Sequence, residues 1–159
     1  LSMTKEERIA KAVALFKEGY NCSQSVVGAY ADLYGFTPEQ AFRMSASFGA
    51  GIGRMRMTCG AACGMFLLAG LERSAVVGAD RASKSANYAL VQELAAKFKE
   101  QTGTLICGEL LGLSKKEPIT ALPEERTPQY YAKRPCPRMI ELAARIFGDF
   151  LEEEGKLVK

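Results

Sequence analysis

The sequence predicts an all-α protein: a single-domain helical bundle of about five to six helices, with a long proline-containing loop before the last one. Three observations carry this expectation. Apolar residues recur at three- and four-residue spacing through most of the chain, no stretch alternates in the manner of a half-buried strand, and capping signals stand at the ends of the periodic segments. With 159 residues and 48% hydrophobic composition, residues 1–159 suffice for one domain with its own core.

Thr4-x-x-Glu7 has the capping-box form, and Ile9, Ala12, Val13 and Phe16 continue a first helix until Gly19. Asn21-x-x-Gln24 caps a second helix, with Cys22 at its first position and Val26, Val27, Tyr30, Leu33 and Tyr34 as its apolar face. Thr37-Pro38-Glu39-Gln40 combines a cap, a first-turn proline and a glutamine, and predicts a third helix to about Phe48. Gly49-Ala50-Gly51-Ile52-Gly53 interrupts the pattern. Thr58 then caps a fourth helix, from Cys59 through Phe66, Leu67 and Gly70. The fifth and longest begins near Asp80, carries Tyr88, Leu90, Val91, Leu94 and Phe98 inward, and stops at Gly103. Cys107, ahead of Leu110 and Leu111, suits one short turn. Pro118, Pro123 and Pro128, with several charges, make the stretch between Leu113 and Pro135 a long surface loop. Pro137 then opens the last helix, marked by Met139, Ala143, Ile146, Phe147 and Phe150.

The bulk properties exclude several function classes. A net charge of +3 is small beside 25% charged residues, and the basic side chains are mixed with acidic ones, so nucleic acid binding is not expected. The residues after Met3 are charged and lack the apolar core of a signal peptide. The longest apolar run, near Met65 to Leu71, is far short of the roughly 20 residues a membrane span needs. The expectation is a soluble, cytoplasmic protein without membrane insertion. In a reducing compartment, cysteines signal metal binding or redox chemistry more often than structural disulfides, and an odd total of five fits a fully paired framework poorly.

With no histidine in the chain, the cysteines hold the chemistry. Cys22, Cys59, Cys107 and Cys136 each fall where a helix is predicted to begin. Such ends present unpaired N–H groups and partial positive charge, which favour a thiolate. The bland alternative for any one of them is a buried core residue. There is no Cys-x-x-Cys, so the zinc-ribbon and thioredoxin patterns are absent, as are the haem-attachment and ferredoxin runs. Any metal would be held by ligands from distant helices, and four thiolates form a complete set for zinc or an iron–sulfur cluster. Cys59 and Cys63 lie four apart on one helix, where a bridge would be strained, so Cys63 reads as a core thiol or an auxiliary resolving group. Gly49, Gly51 and Gly53, with Arg54 and Arg56, have the composition of an anion nest. The simpler reading is that these glycines, like Gly60 and Gly64, allow backbones to approach closely around the cysteines or a cofactor.

Gly19-Tyr20-Asn21-Cys22-Ser23-Gln24-Ser25-Val26, the glycine segment before Cys59-Gly60-Ala61-Ala62-Cys63-Gly64, and the later Cys107 and Cys136 resemble the C_GCAxxG_C_C family of four-cysteine, redox-active proteins. The resemblance runs from about Glu18 to Phe147. It implies a small, helical, prokaryotic protein whose characteristic cysteines match Cys22, Cys59, Cys107 and Cys136, with Cys63 in the variable part of the motif. Family members are often encoded near transporter genes. A similar domain accompanies the haem part of split-Soret cytochromes, where the likeness points to an iron–sulfur site. The haem function does not carry over, because this chain lacks histidine and haem-attachment motifs.

Three functions stay open on the sequence. The first is a redox protein whose four cysteines converge on an iron–sulfur cluster or another thiolate-bound metal, for electron transfer or redox sensing. The second is a metal-free thiol–disulfide oxidoreductase or peroxide-reactive protein, with Cys59 attacking and Cys22 or Cys136 resolving. The third is a helical binding module with buried cysteines. Alanine-rich helix faces suggest a homodimer, and the redox readings require a partner of unknown identity.

Overall fold

The computed structural model describes residues 3–114 and 116–158, and is all-α, with eight α-helices and two short 3₁₀ segments among the described residues. The elements are α1 (Lys5–Lys17), α2 (Cys22–Tyr30), α3 (Pro38–Ser45), α4 (Gly60–Glu72), α5 (Arg81–Thr102), α6 (Cys107–Leu110), α7 (Pro128–Lys133) and α8 (Cys136–Glu153).

Local chemistry sets the starts. Capping boxes form at Thr4, Asn21 and Thr37, where each side chain accepts the N–H three residues on and the partner Glu7, Gln24 or Gln40 reaches back. Asp80 caps α5 by accepting from the N–H groups of Ala82 and Ser83. At its other end α5 stops at Gly103, which takes up φ 85°.

Helices α2 and α4 form the centre. Seven of the nine residues of α2 are buried, and α4 buries Gly60 through Met65 together with Leu68 and Ala69. A helix apolar nearly all round belongs in the interior, and α1, α3, α5 and α8 pack around this pair. Helix α8 lays Met139, Ile140, Ala143, Phe147 and Leu151 inward. It meets α2 where the Tyr30 hydroxyl donates to the carbonyl of Ala144 at 2.6 Å, and the Tyr30 and Phe147 rings meet edge to face. Ion pairs from Lys5 to Asp149 and Glu152, and from Arg145 to Glu6, close the outer edge between α1 and α8.

Several details differ from the sequence-based expectation, each for a local reason. The second and third helices end earlier than predicted, with their last residues tightened into 3₁₀ turns at Ala31–Tyr34 and Ala46–Phe48. Tyr88 is 59% exposed rather than inward. Helix α5 buries only Leu90, Leu94 and Phe98, and two residues from Leu90 turns a side chain about 200° around the helix. The expected loop after Leu113 contains α7, because Thr127 caps it and Pro128 occupies the first turn, where the missing N–H costs nothing. With α6, this helix raises the count above five to six. Thr58 does not cap α4. Cys59 holds that position, while Thr58 forms a one-residue antiparallel bridge to Ile106.

Glycine sets how closely α2 and α4 approach. A Cβ on Gly60 would stand 2.8 Å from the Phe48 carbonyl oxygen and 3.2 Å from Cβ of Cys22, and one on Gly64 would stand 3.0 Å from the Ser23 carbonyl oxygen. Gly60→Ala should therefore destabilise the fold by about 1–3 kcal/mol through overpacking. Gly70→Ala, on the same helix but with nothing within 4 Å, should gain up to about 1 kcal/mol from helix propensity. Urea unfolding of both variants measures this, and a Gly60→Ala protein as stable as the parent would remove the packing constraint.

Candidate redox site

Four helix starts meet at one cavity. Cys22, Cys107 and Cys136 are the first residues of α2, α6 and α8, and Cys59 is the N-cap of α4. All four line a cavity of about 290 Å³, together with Phe16, Leu110, Leu111, Tyr130 and Met139. Cys63 does not line it. Its thiol lies one turn further along α4 and donates to the Thr58 carbonyl at 3.7 Å. All five cysteines are free thiols.

Backbone geometry delivers these side chains. The Thr58–Ile106 bridge is flanked by hydrogen bonds from the Cys59 N–H to the Leu105 carbonyl and from the Cys107 N–H to the Met57 carbonyl, both 2.6 Å. Two cysteines 48 positions apart in sequence are thus tied into one small ladder. On the other side, the Asn21 side chain caps α2 and donates to the Ala46 carbonyl at 2.9 Å.

The glycine segment forms a left-handed turn. Ala50, Gly51, Ile52, Gly53 and Arg54 have φ of 54°, 76°, 66°, 58° and 62°, and Arg56 follows at 61°. Each non-glycine residue there costs roughly 1–2 kcal/mol, and a β-branched residue such as Ile52 is a true outlier. The turn is held by N–H donation from Gly53 to the Ser47 carbonyl and from Met57 to the Gly51 carbonyl. It seats Gly49 on Asn21, where a Cβ would come within 2.2 Å of the side chain, and Gly51 on Cys107, where a Cβ would come within 2.6 Å. Gly49, Gly53 and Gly60 face the cavity, whereas Gly64 lies in the α2–α4 contact.

Four arginines surround the thiols: Arg54, Arg56, Arg126 and Arg134 all line the cavity. Nη1 of Arg56 lies 3.8 Å from Sγ of Cys107. Arg126 and Arg134 come from the segment before α8, and no spacing in the sequence marked them. The only signal available in the sequence was their basic character.

The four thiols differ in acidity, and burial decides most of it. Desolvation pushes Cys59 up to about 12, although the N–H groups of Ala61 and Ala62 act in the opposite sense. It also raises Cys107 despite the Arg56 hydrogen bond, and pushes Cys63 up to about 11. The Cys22 and Cys136 thiols interact with each other across the cavity. That interaction, and then burial, raises Cys22. Cys136 is brought down to about 7, first by the interaction with Cys22 and then by the charges of Arg134, Arg126 and Arg56, against the effect of burial. The expectation that every helix start would favour a thiolate thus holds in direction only at Cys136.

In the reduced protein, Cys136 should be the first cysteine alkylated by iodoacetamide. Its rate should climb with pH through about 7 and level off above, as the thiolate fills. Cys59 should react far more slowly across that range. Peptide mass mapping against pH checks this, and a Cys136 that labels no faster than Cys59 would refute the assigned acidities.

No curated protein and no solved structure matches the chain. A family model does match, over residues 20–150, and its description is "Putative redox-active protein (C_GCAxxG_C_C)". That span contains all four cavity cysteines and the segments that deliver them, from Tyr20 before α2 to Phe150 within α8. The chain belongs to the C_GCAxxG_C_C family.

Proposed function

We propose that the four cavity cysteines form one redox centre, and that it holds a thiolate-ligated iron–sulfur cluster serving electron transfer or redox sensing. The observation that carries this reading is the convergence of Cys22, Cys59, Cys107 and Cys136 on a single cavity. Three of these thiols are poor nucleophiles at neutral pH, so thiol exchange alone gives no reason for all four to gather.

The fit has two sides. Among the described residues, no group of three or more His, Cys, Asp or Glu side chains is arranged to hold a metal ion. A lone zinc would draw its sulfurs to about 3.8 Å from one another, as Zn–S bonds of about 2.3 Å require, and that demands movement of the thiols. The donor set itself is all sulfur, and Cys₄ is the usual ligand set of an iron–sulfur cluster. Such a group is larger than one ion and suits thiols spread around a cavity. When bound, it would supply one-electron chemistry and displace the thiol protons. Arg56, Arg126 and Arg134 would offset the charge of four thiolates. The N–H groups at the starts of α2, α4, α6 and α8 would donate to sulfur and adjust the potential.

Anaerobic reconstitution with iron and sulfide tests the reading by metal and sulfide analysis and by the visible absorption of the product. Serine at any of the four positions should abolish or strongly lower incorporation, whereas Cys63→Ser should not. A protein that takes up neither iron nor sulfide would overturn it.

A second reading rests on the Cys22–Cys136 pair. Cys136 thiolate attacks one sulfur of a partner disulfide, forming a mixed disulfide and expelling the other partner sulfur as a thiolate. Cys22 then loses its proton and attacks Sγ of Cys136, releasing the second partner thiolate and leaving a Cys22–Cys136 disulfide. The partner gains two electrons and the protein loses two. Relative to the sequence-based expectation, the attacking role passes from Cys59 to Cys136. Mild oxidation followed by mass mapping should give a reducible Cys22–Cys136 link, and its failure to form would end this reading.

A further inference from the structure

The segment between α6 and α8 covers the four-cysteine cavity without being buried itself. Between residues 116 and 135 no side chain is fully buried, yet Ala121, Pro123, Glu124, Arg126, Tyr130 and Arg134 all line the cavity. Its apolar packing is concentrated at Tyr130 and Tyr131, whose rings meet Phe16, and structure held by so few apolar contacts opens at low free energy.

Polar anchors hold this segment down. Arg126 is the most elaborate: Nη1 donates to the Phe16 carbonyl at 2.8 Å, Nη2 donates to the Tyr20 carbonyl at 3.0 Å, and the guanidinium lies over the Phe16 ring at 4.2 Å. The Tyr131 hydroxyl adds a bond to the Lys17 carbonyl at 3.3 Å. At the far end, Nη1 of Arg54 donates to the carbonyl and hydroxyl of Thr120 at 2.9 and 2.7 Å. Arg134 pairs with Glu124 within the segment.

The position of the Arg126 anchor gives it a specific role. The two carbonyls it grips are those of Phe16 in the last turn of α1 and of Tyr20 in the short turn that leads into Cys22. The segment that carries Arg126 leads into Cys136. One guanidinium therefore clasps the two stretches of chain that bring Cys22 and Cys136 to the same cavity.

We infer that residues 116–135 are a gate over the cavity and that Arg126 is its latch. Release of Arg126 from Phe16 and Tyr20 lifts the segment, exposing Cys22 and Cys136 to reagents or to a partner while the α2–α4 core stays folded. The biological role of the gate rests on the cavity being the redox centre; its mechanical existence does not.

The test compares the reduced protein with its Arg126→Met variant, which keeps the length of the side chain and loses its donors. A maleimide carrying a bulky polyethylene glycol is the probe, and labelling is mapped by peptide mass. Losing a charged set of hydrogen bonds should speed labelling of Cys22 and Cys136 by on the order of tenfold to a hundredfold. Cys63, buried outside the cavity, should label at the parent rate. Unchanged rates at Cys22 and Cys136, or an equal rise at Cys63, would overturn the gate, the latter because it reports general unfolding. Should Arg126→Met fail to fold, Arg54→Met releases the other anchor and must raise the same two rates. In the parent protein, hydrogen exchange must be fastest in residues 116–127 and slow in α2 and α4; uniform exchange would also overturn the proposal. A protein that shows gated labelling but takes up no iron and sulfide loses the cluster reading and keeps the gate.

Discussion

The packing of α2 against α4 is the contact on which the rest of the molecule depends. Gly60 and Gly64 let the backbone of α4 sit directly on Cys22, Ser23 and Val26, and Gly49 admits the Asn21 cap from the other side. That closeness sets where the N-terminus of each helix lies, and therefore where Cys22 and Cys59 stand. The outer helices bury apolar stripes against this pair, and α8 in turn brings Cys136 to the same end.

At the cavity, three electrostatic effects compete. Helix starts and arginines favour thiolates, whereas burial favours neutral thiols. Burial prevails at Cys59, where the thiol is almost enclosed, and at Cys107, where a single arginine contact is too weak to reverse it. At Cys136 the interaction with Cys22 combines with three guanidinium groups, and the balance tips the other way. The result is an asymmetric set of four thiols around a common space. A metal cluster would override these differences by deprotonating every ligand, but in the free protein they leave one reactive sulfur.

The left-handed turn at residues 50–54 shows what the structure spends to assemble this site. Ala50, Ile52 and Arg54 each occupy a conformation that L side chains avoid. Glycines at 51 and 53 relieve only part of the strain, and Gly51 is also the sole residue type that fits against Cys107. Strain of this kind persists where the surroundings over-determine the backbone, and here the turn lines the cavity between Asn21 and Cys107.

Much of the framework was legible in the sequence. The boxes at Thr4, Asn21 and Thr37, the Asp80 cap and the Gly103 stop are local chemistry within four residues, so the helix starts and the all-α class follow from short-range pattern alone. Even α7 carried its own mark, Thr127-Pro128, obscured by the neighbouring prolines. Tertiary structure decided the rest. The Thr58–Ile106 bridge joins single residues too short to form a strand pattern, the positive φ values at Ile52 and Arg54 contradict residue preference, and Arg126 reaches carbonyls more than a hundred positions away. Above all, the acidity of each thiol depends on burial and on charges from other segments. Local signals, the Asn21 cap before Cys22 and Pro137 after Cys136 among them, placed the cysteines at helix starts; which of them is reactive, and what covers them, depends on long-range packing that no local pattern encodes.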